Sequence, residues 1–257
     1  MHIDLNCDVG ESFGRYRLGH DEAVMEFATS ISVACGFHAG DAGTMRRTVA
    51  AAVARGVAIG AHPGYPDLQG FGRREMKLSA EEIGDIVIYQ AGALNAFVGA
   101  AGGRLQHVKL HGALYNTAAR SEPVAEAAVA AVARLPGRLI IVGPPGSQLA
   151  AAAARHGLPF AAEVFADRTY APDGQLTPRD TAGAFIADAE QAARRMVQLL
   201  REGTVEATDG SRLALRADTI CLHGDAPNAL AFARGLAQAL EGAGVKRQAL
   251  GATINQA

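Results

Sequence analysis

Seven short apolar runs punctuate the chain, and each ends in side chains that carry chemistry. They are IDLNCD (3–8), ISVACGFH (31–38), VAIGAH (57–62), HVKLH (107–111), RLIIVGPPG (138–146), FAAEVFADR (160–168) and TICLHGD (219–225). Each has the length and composition of a β-strand. Between them the apolar period lengthens toward 3.6. One helical stripe comprises Ile83, Ile86, Val87, Leu94, Phe97 and Val98, preceded by Ser79 and Glu82 at capping-box spacing. A second comprises Phe185, Ile186, Ala189, Ala193, Met196, Val197 and Leu200. A third, Leu230, Ala233, Leu236, Ala237 and Leu240, predicts a helix over 226–242. Further helices are predicted over 42–54, 121–135 and 146–156.

A β–α unit repeated about seven times implies parallel strands joined by right-handed crossovers. The expectation is one (β/α) barrel over residues 1–257, with catalytic groups at the C-terminal rim of its strands. An open doubly wound sheet is the alternative, and it too binds ligands beyond the carboxyl ends of its strands. Asp209-Gly210 within 205–215 predicts a small hairpin before the last strand. Two long loops, 62–78 and 167–180, are rich in Gly, Pro and charge.

Bulk properties limit the partners. The 257 residues are 49% hydrophobic and 19% charged, enough for a sizeable core. A net charge of -2 without an aromatic-interleaved basic run argues against nucleic acid. The N-terminus lacks signal-peptide layout and no 18-residue apolar span is evident, so no membrane is expected. Cys7, Cys35 and Cys221 form no CxxC and are odd in number, which predicts reduced thiols and a cytoplasmic location.

Strand parity selects the rim. Asp4, Asn6 and Asp8 share one face of the first strand and Ile3, Leu5 and Cys7 the other. Lys109 and His111 oppose Val108 and Leu110; Glu163 and Asp167 oppose Ala162 and Val164; His223 and Asp225 oppose Ile220 and Leu222. The polar set is expected inside the barrel, where charges must pair. His38, His62, His111 and His223, half of the eight histidines, lie at strand ends. Imidazoles there suit general acid–base work, or metal binding with a carboxylate, such as Asp8, His62 and His223. No nucleotide-binding glycine signature is present. Gly143-Pro-Pro-Gly146-Ser147 reads either as an anion cradle or as a loop whose Ser147 caps a helix. Arg73 and Arg74 offer two guanidiniums for a carboxylate or phosphate, or are surface cations. Asp41 and Asp225 are each placed to cap a helix.

Seven ordered motifs resemble the LamB/YcsF family over almost the whole chain. They are Asn6-Cys-Asp8-Val-Gly-Glu11-Ser-Phe-Gly14, Ala34-Cys-Gly-Phe-His38-Ala-Gly-Asp41, His62-Pro-Gly-Tyr-Pro-Asp67 continuing to Arg73-Arg74, Val108-Lys109-Leu-His111-Gly-Ala-Leu-Tyr115-Asn116, Glu163-Val-Phe-Ala-Asp167-Arg168-Thr-Tyr170, Asp173 to Arg179, and Leu222-His223-Gly-Asp225. Ala42 and Leu110 stand where the family often has Pro. The resemblance implies a seven-stranded β/α barrel of the glycoside hydrolase/deacetylase type. It also implies ATP-dependent opening of the 5-oxoproline lactam to glutamate, ADP and phosphate, with the chain as the A component of a 5-oxoprolinase working with subunits B and C. ATP is then a cosubstrate, accompanied by a divalent cation such as Mg. Catalysis is expected of Asp8, His38, His62, Lys109, His111, Glu163 and His223. Substrate binding is expected of Asn6, Glu11, Arg73, Arg74, Tyr115, Asn116, Asp167, Arg168 and Asp225. Asp8 or Glu163 would act as base, Lys109 and arginines would neutralise phosphate, and a histidine would protonate the leaving amine. Two alternatives remain: a metal-dependent deacetylase or amidohydrolase acting alone, and a non-catalytic 5-oxoproline-binding subunit.

Overall fold

Among the described residues ten strands follow one another in the order β1 (His2–Val9), β2 (Ser30–Ala34), β3 (Ala58–His62), β4 (Leu105–Lys109), β5 (Ile140–Gly143), β6 (Phe160–Phe165), β7 (Thr204–Glu206), β8 (Arg212–Ala214), β9 (Thr219–Leu222) and β10 (Lys246–Arg247). The helices are α1 (Asp21–Val24), α2 (Ala42–Arg55), α3 (Ala80–Ala100), α4 (Gly112–Arg120), α5 (Glu122–Ala133), α6 (Gln148–Arg155), α7 (Ala189–Glu202), α8 (Ala229–Gly242) and α9 (Leu250–Thr253). This computed structural model describes residues 1–222 and 229–253. His223 and Asp225, both expected at the site, lie outside the described residues.

Strands β1 to β6 are parallel neighbours in chain order, and β9 closes the ring by pairing with both β6 and β1. Glu163 aligns with Thr219, and Asn6 with Cys221. The result is the expected seven-stranded parallel barrel; closure by β9 excludes the open sheet. Strand β10 adds to β1 outside the ring, with His2 opposite Lys246. Strands β7 and β8 form the expected antiparallel ribbon, turning at Asp209-Gly210, where Gly210 has φ 83°.

The apolar stripes cover the barrel. Ile83, Val87, Leu94 and Val98 of α3 are buried, and α3 packs along α5. Helix α3 has a mean hydropathy of 1.3, long and apolar enough to cross a membrane. Its Gln90, however, is fully buried and bonds the main chain of Gly64 in both directions. A helix tied by its inner face to a barrel loop is a covering layer of the fold. The capping signals act as read. Asp41 accepts from Thr44 N at 2.8 Å, Ser79 and Glu82 form a capping box, and Ser147 accepts from Ala150 N. Two features differ from expectation: a helix that the sequence does not predict, and the later start of a predicted one. Helix α4 begins directly after His111, and Phe185 and Ile186 precede α7; Phe185 is half exposed beside Arg168.

Candidate active site

The barrel interior is polar from bottom to rim. At the bottom, Asp4 accepts from Thr29 Oγ1 at 2.6 Å, Ser30 Oγ at 2.8 Å and Thr219 Oγ1 at 2.5 Å. Burial pushes its carboxyl up to about 6 despite those hydrogen bonds. His107 lies across the barrel above Gly60, where a Cβ would stand 2.0 Å from its Nε2. Only glycine leaves room for the ring.

Strand ends then deliver one charged cluster. Lys109 Nζ donates to Glu163 Oε1 at 2.7 Å, to Asp8 Oδ1 at 2.9 Å and to Asn6 Oδ1 at 3.0 Å. Asn6 in turn donates to Glu163 at 3.0 Å, and the Tyr115 hydroxyl donates to Glu163 Oε2 at 2.7 Å. Lys109 and Glu163 side chains are 4% and 0% exposed, so both carboxylates and the ammonium must satisfy one another. Burial works against the charge on Lys109. Asp8 first, then Cys221 and Glu163, outweigh it and hold the ammonium well above its ordinary value. Burial likewise would raise Asp8, but His62 and Lys109 hold its carboxyl well below the usual range.

Above the cluster stand the histidines. His62 lies 3.3 Å from Asp8 Oδ2 through Nε2 and 2.8 Å from the Lys109 carbonyl through Nδ1. His111 Nδ1 is 3.0 Å from His62 Nε2, and its Nε2 is 2.8 Å from the Phe71 carbonyl. His38 stacks on His111 with centroids 3.6 Å apart and planes 4° from parallel. Burial first, then neighbouring histidines, push His111 down to about 3 and His38 well below its ordinary value. Phe71 adopts φ 55°, an uncommon conformation for a side chain of its size, with its ring against His38 and its carbonyl on His111. Glu11 completes a group of potential metal ligands with His38, His62 and His111, all four ligand atoms lying within 4.8 Å of one another.

Asp8, His62, Lys109, Tyr115 and Asn116 face a cavity of about 290 Å³, together with Glu11, Arg73, Arg168 and Arg179. A second chamber of about 910 Å³ shares Arg73, Asn116, Arg168 and Arg179 with it and extends to Gly146 and Ser147. The three guanidiniums therefore stand where two chambers meet. Such volumes suit one small ligand beside a larger one.

Several expected residues are placed differently. Arg74 is turned away, its guanidinium paired with Asp67 and 65% of its side chain exposed, so Arg73 alone of the two serves the cavity. His38 lies behind His111 and does not line the cavity itself. Asp167 follows β6 outside the cavity lining, and its carbonyl accepts from Ile186 N at 2.8 Å. Arg168 reaches the cavity, but Nη2 donates to the Thr177 carbonyl and Nε to the Ala184 carbonyl at 3.3 Å. Its first task is holding the loop beyond β6. Sequence reading missed His107 as an interior residue and Arg179 as a lining one. His107 shares strand parity with Lys109, which is signal enough; Arg179 sits on a loop where parity says nothing. The three cysteines are buried free thiols, with burial pushing Cys35 up to about 12.

Fold and site define a seven-stranded β/α barrel protein with a buried charged cluster opening on a C-terminal rim cavity. The chain belongs to the LamB/YcsF family, whose family model matches residues 3–255. It is 54% identical over 247 residues to the A subunit of 5-oxoprolinase from Bordetella pertussis, covering 96% of this chain and 98% of that one. The corresponding 5-oxoprolinase A subunit of Methylococcus capsulatus is 52% identical over 255 residues, covering 99% and 98%. The crystal structure of the lactam utilization protein from Thermus thermophilus superposes with a TM-score of 0.93 at 48% identity, covering 97% of this chain and all of that one.

Proposed function

We propose that this chain is the A subunit of an ATP-dependent 5-oxoprolinase, a cytoplasmic hydrolase that opens the 5-oxoproline lactam to L-glutamate. The observation that carries the reading is the pair of chambers joined at Arg73, Arg168 and Arg179 above Asp8 and Lys109. The inner chamber has room for a lactam carboxylate and the outer one for a nucleotide. Near-full-length identity to two named 5-oxoprolinase subunits supports it.

A lactam is a stable amide, so its carbonyl needs activation. Transfer of a phosphoryl group from ATP to the lactam oxygen makes the carbon electrophilic and releases ADP; a divalent cation such as Mg would help to neutralise the nucleotide's charge. The arginines and Lys109 neutralise the charge that gathers there. One water adds to the carbon, Asp8 and His62 handling its proton; the ring nitrogen leaves after protonation and a γ-glutamyl phosphate remains. A second water releases phosphate and glutamate. Glu163 accepts hydrogen bonds from Tyr115, Asn6 and Lys109, and so positions the ammonium.

Subunits B and C are the expected partners. The deciding experiment mixes the purified chain with those subunits, 5-oxoproline and ATP. Oxoproline-dependent formation of ADP and glutamate is expected, and it should fall at least about 100-fold in His111→Ala. No oxoproline-dependent ADP in the complete mixture would remove the proposal.

A further inference from the structure

Two rim histidines have their tautomers set by main-chain carbonyls. His62 Nδ1 lies 2.8 Å from Lys109 O, and His111 Nε2 lies 2.8 Å from Phe71 O. A carbonyl can only accept, so each of those nitrogens carries its ring's proton. In neutral rings that leaves a lone pair on His62 Nε2 and another on His111 Nδ1, with the Asp8 carboxylate also 3.3 Å from His62 Nε2, so that spot calls for a positive charge. The two nitrogens face each other at 3.0 Å. Neutral rings so arranged repel unless a cation lies between them. Two more potential donors lie nearby. Glu11 Oε1 is 4.0 Å from His111 Nδ1. His38 is fully buried, and neither of its ring nitrogens has a hydrogen-bond partner. Two carboxylates, Asp8 and Glu11, thus stand beside these ring nitrogens, at 3.3 Å from His62 Nε2 and 4.0 Å from His111 Nδ1.

We propose that His62, His111, His38 and Glu11 form a binding site for a divalent transition-metal ion of the zinc type. A tetrahedral ion with nitrogens at about 2.0–2.1 Å sets neighbouring ligands about 3.3 Å apart. The His62–His111 pair is already close to that spacing. Glu11 and His38 must close in from the 4.8 Å spread of the group. His38 also has to turn out of its parallel stack on His111, since a metal lies in the plane of each ring that binds it. Gly64 and Gly72 keep the surroundings of that ring clear: a Cβ on Gly64 would stand 2.8 Å from His38 Nδ1, and one on Gly72 2.7 Å from His38 Cβ. The carbonyl partners behind His62 and His111 are the supports that metal-binding imidazoles ordinarily have. Three imidazoles and one carboxylate suit zinc, cobalt or nickel; magnesium prefers oxygen. The site lies on the wall of the inner cavity, but it rests on this geometry and not on the oxoproline reading.

The test uses the full chain stripped with chelator. Cobalt(II) is titrated in and followed by visible absorption, then displaced by zinc(II) in a calorimeter. One equivalent of tetrahedral cobalt, displaced by one equivalent of zinc, is expected. His62→Gln and His111→Gln, checked for folding by circular dichroism, should weaken zinc binding by about 100-fold or more. No saturable cobalt spectrum and no zinc uptake by the wild-type chain would overturn the site. So would undiminished zinc binding in both folded variants. The wild-type titration decides even if the variants fail to fold. Turnover with the B and C subunits is a separate readout, so loss of the metal site leaves the oxoprolinase reading standing.

Discussion

Lys109 is the side chain on which the interior charge balance turns. It separates Asp8 from Glu163, each within 2.9 Å of its ammonium. Lys109→Met would leave two buried carboxylates facing each other and should cost about 3–5 kcal/mol. Urea denaturation of Lys109→Met against the double variant Lys109→Met/Glu163→Gln tests this. The double variant should regain part of the loss, and equal stability of the two would contradict the pairing. Gly60 is decisive for the opposite reason, lack of a side chain. Gly60→Ala drives a methyl into His107 and should cost about 1–3 kcal/mol or more; a thermal melt at wild-type value would refute the contact. Most of these groups were legible from parity alone, because Asn6, Asp8, Lys109 and Glu163 sit inside regular strands. Parity fails where the strand has ended. His38 lies beyond Ala34, the last residue of β2, and Arg74 is captured by Asp67 of its own loop; neither outcome is written in local periodicity.

At the scale of elements, helix ends obey local rules and loop closure does not. Ser79→Ala removes one half of the α3 capping box and should cost about 1 kcal/mol while oxoproline turnover stays unchanged. A loss of turnover would mean that α3 is coupled to the rim through Gln90 and Gly64. The strands and helices α2, α3, α5 and α6 follow from period and caps. Helix α4 does not, because its buried face is short, only Ala113, Leu114, Tyr115 and Ala118, and begins at the glycine after His111. Gly112 there has φ 54°, and a Cβ would lie 2.6 Å from Gly72 O, so the sharp entry into α4 needs glycine. The loop after β6 is held from within by Arg168 on Thr177 and Ala184, a pairing across irregular backbone that no sequence period encodes.

For the whole molecule, barrel closure is the least local event, since β9 must find β1 from the far end of the chain. Repetition of β–α units makes it expected, yet the register that sets Asn6 beside Cys221 emerges only in three dimensions. Acid stability integrates the buried groups. His107 and His111 are pushed down to about 3 from an ordinary 6.5, so between those values the unfolded chain binds protons that the native one refuses. Stability should therefore fall as pH drops below 6.5. Asp4, raised from 3.8 to about 6, acts the other way over its own window, because there the native state binds the extra proton. Asp4→Asn should accordingly steepen the loss of stability between pH 6 and pH 4, measured as urea midpoints; an unchanged slope would show that Asp4 does not hold that proton.

The plug formed by Asp4, Thr219 and His107 over Gly60 has one more consequence. With those side chains all but inaccessible, the barrel has no back door among the described residues. Reactants arrive and products depart over the same lip, past Arg73, Arg168 and Arg179. A protein that docks on that lip becomes gatekeeper in both directions, able to retain an intermediate until water is admitted and to time the release of what is made.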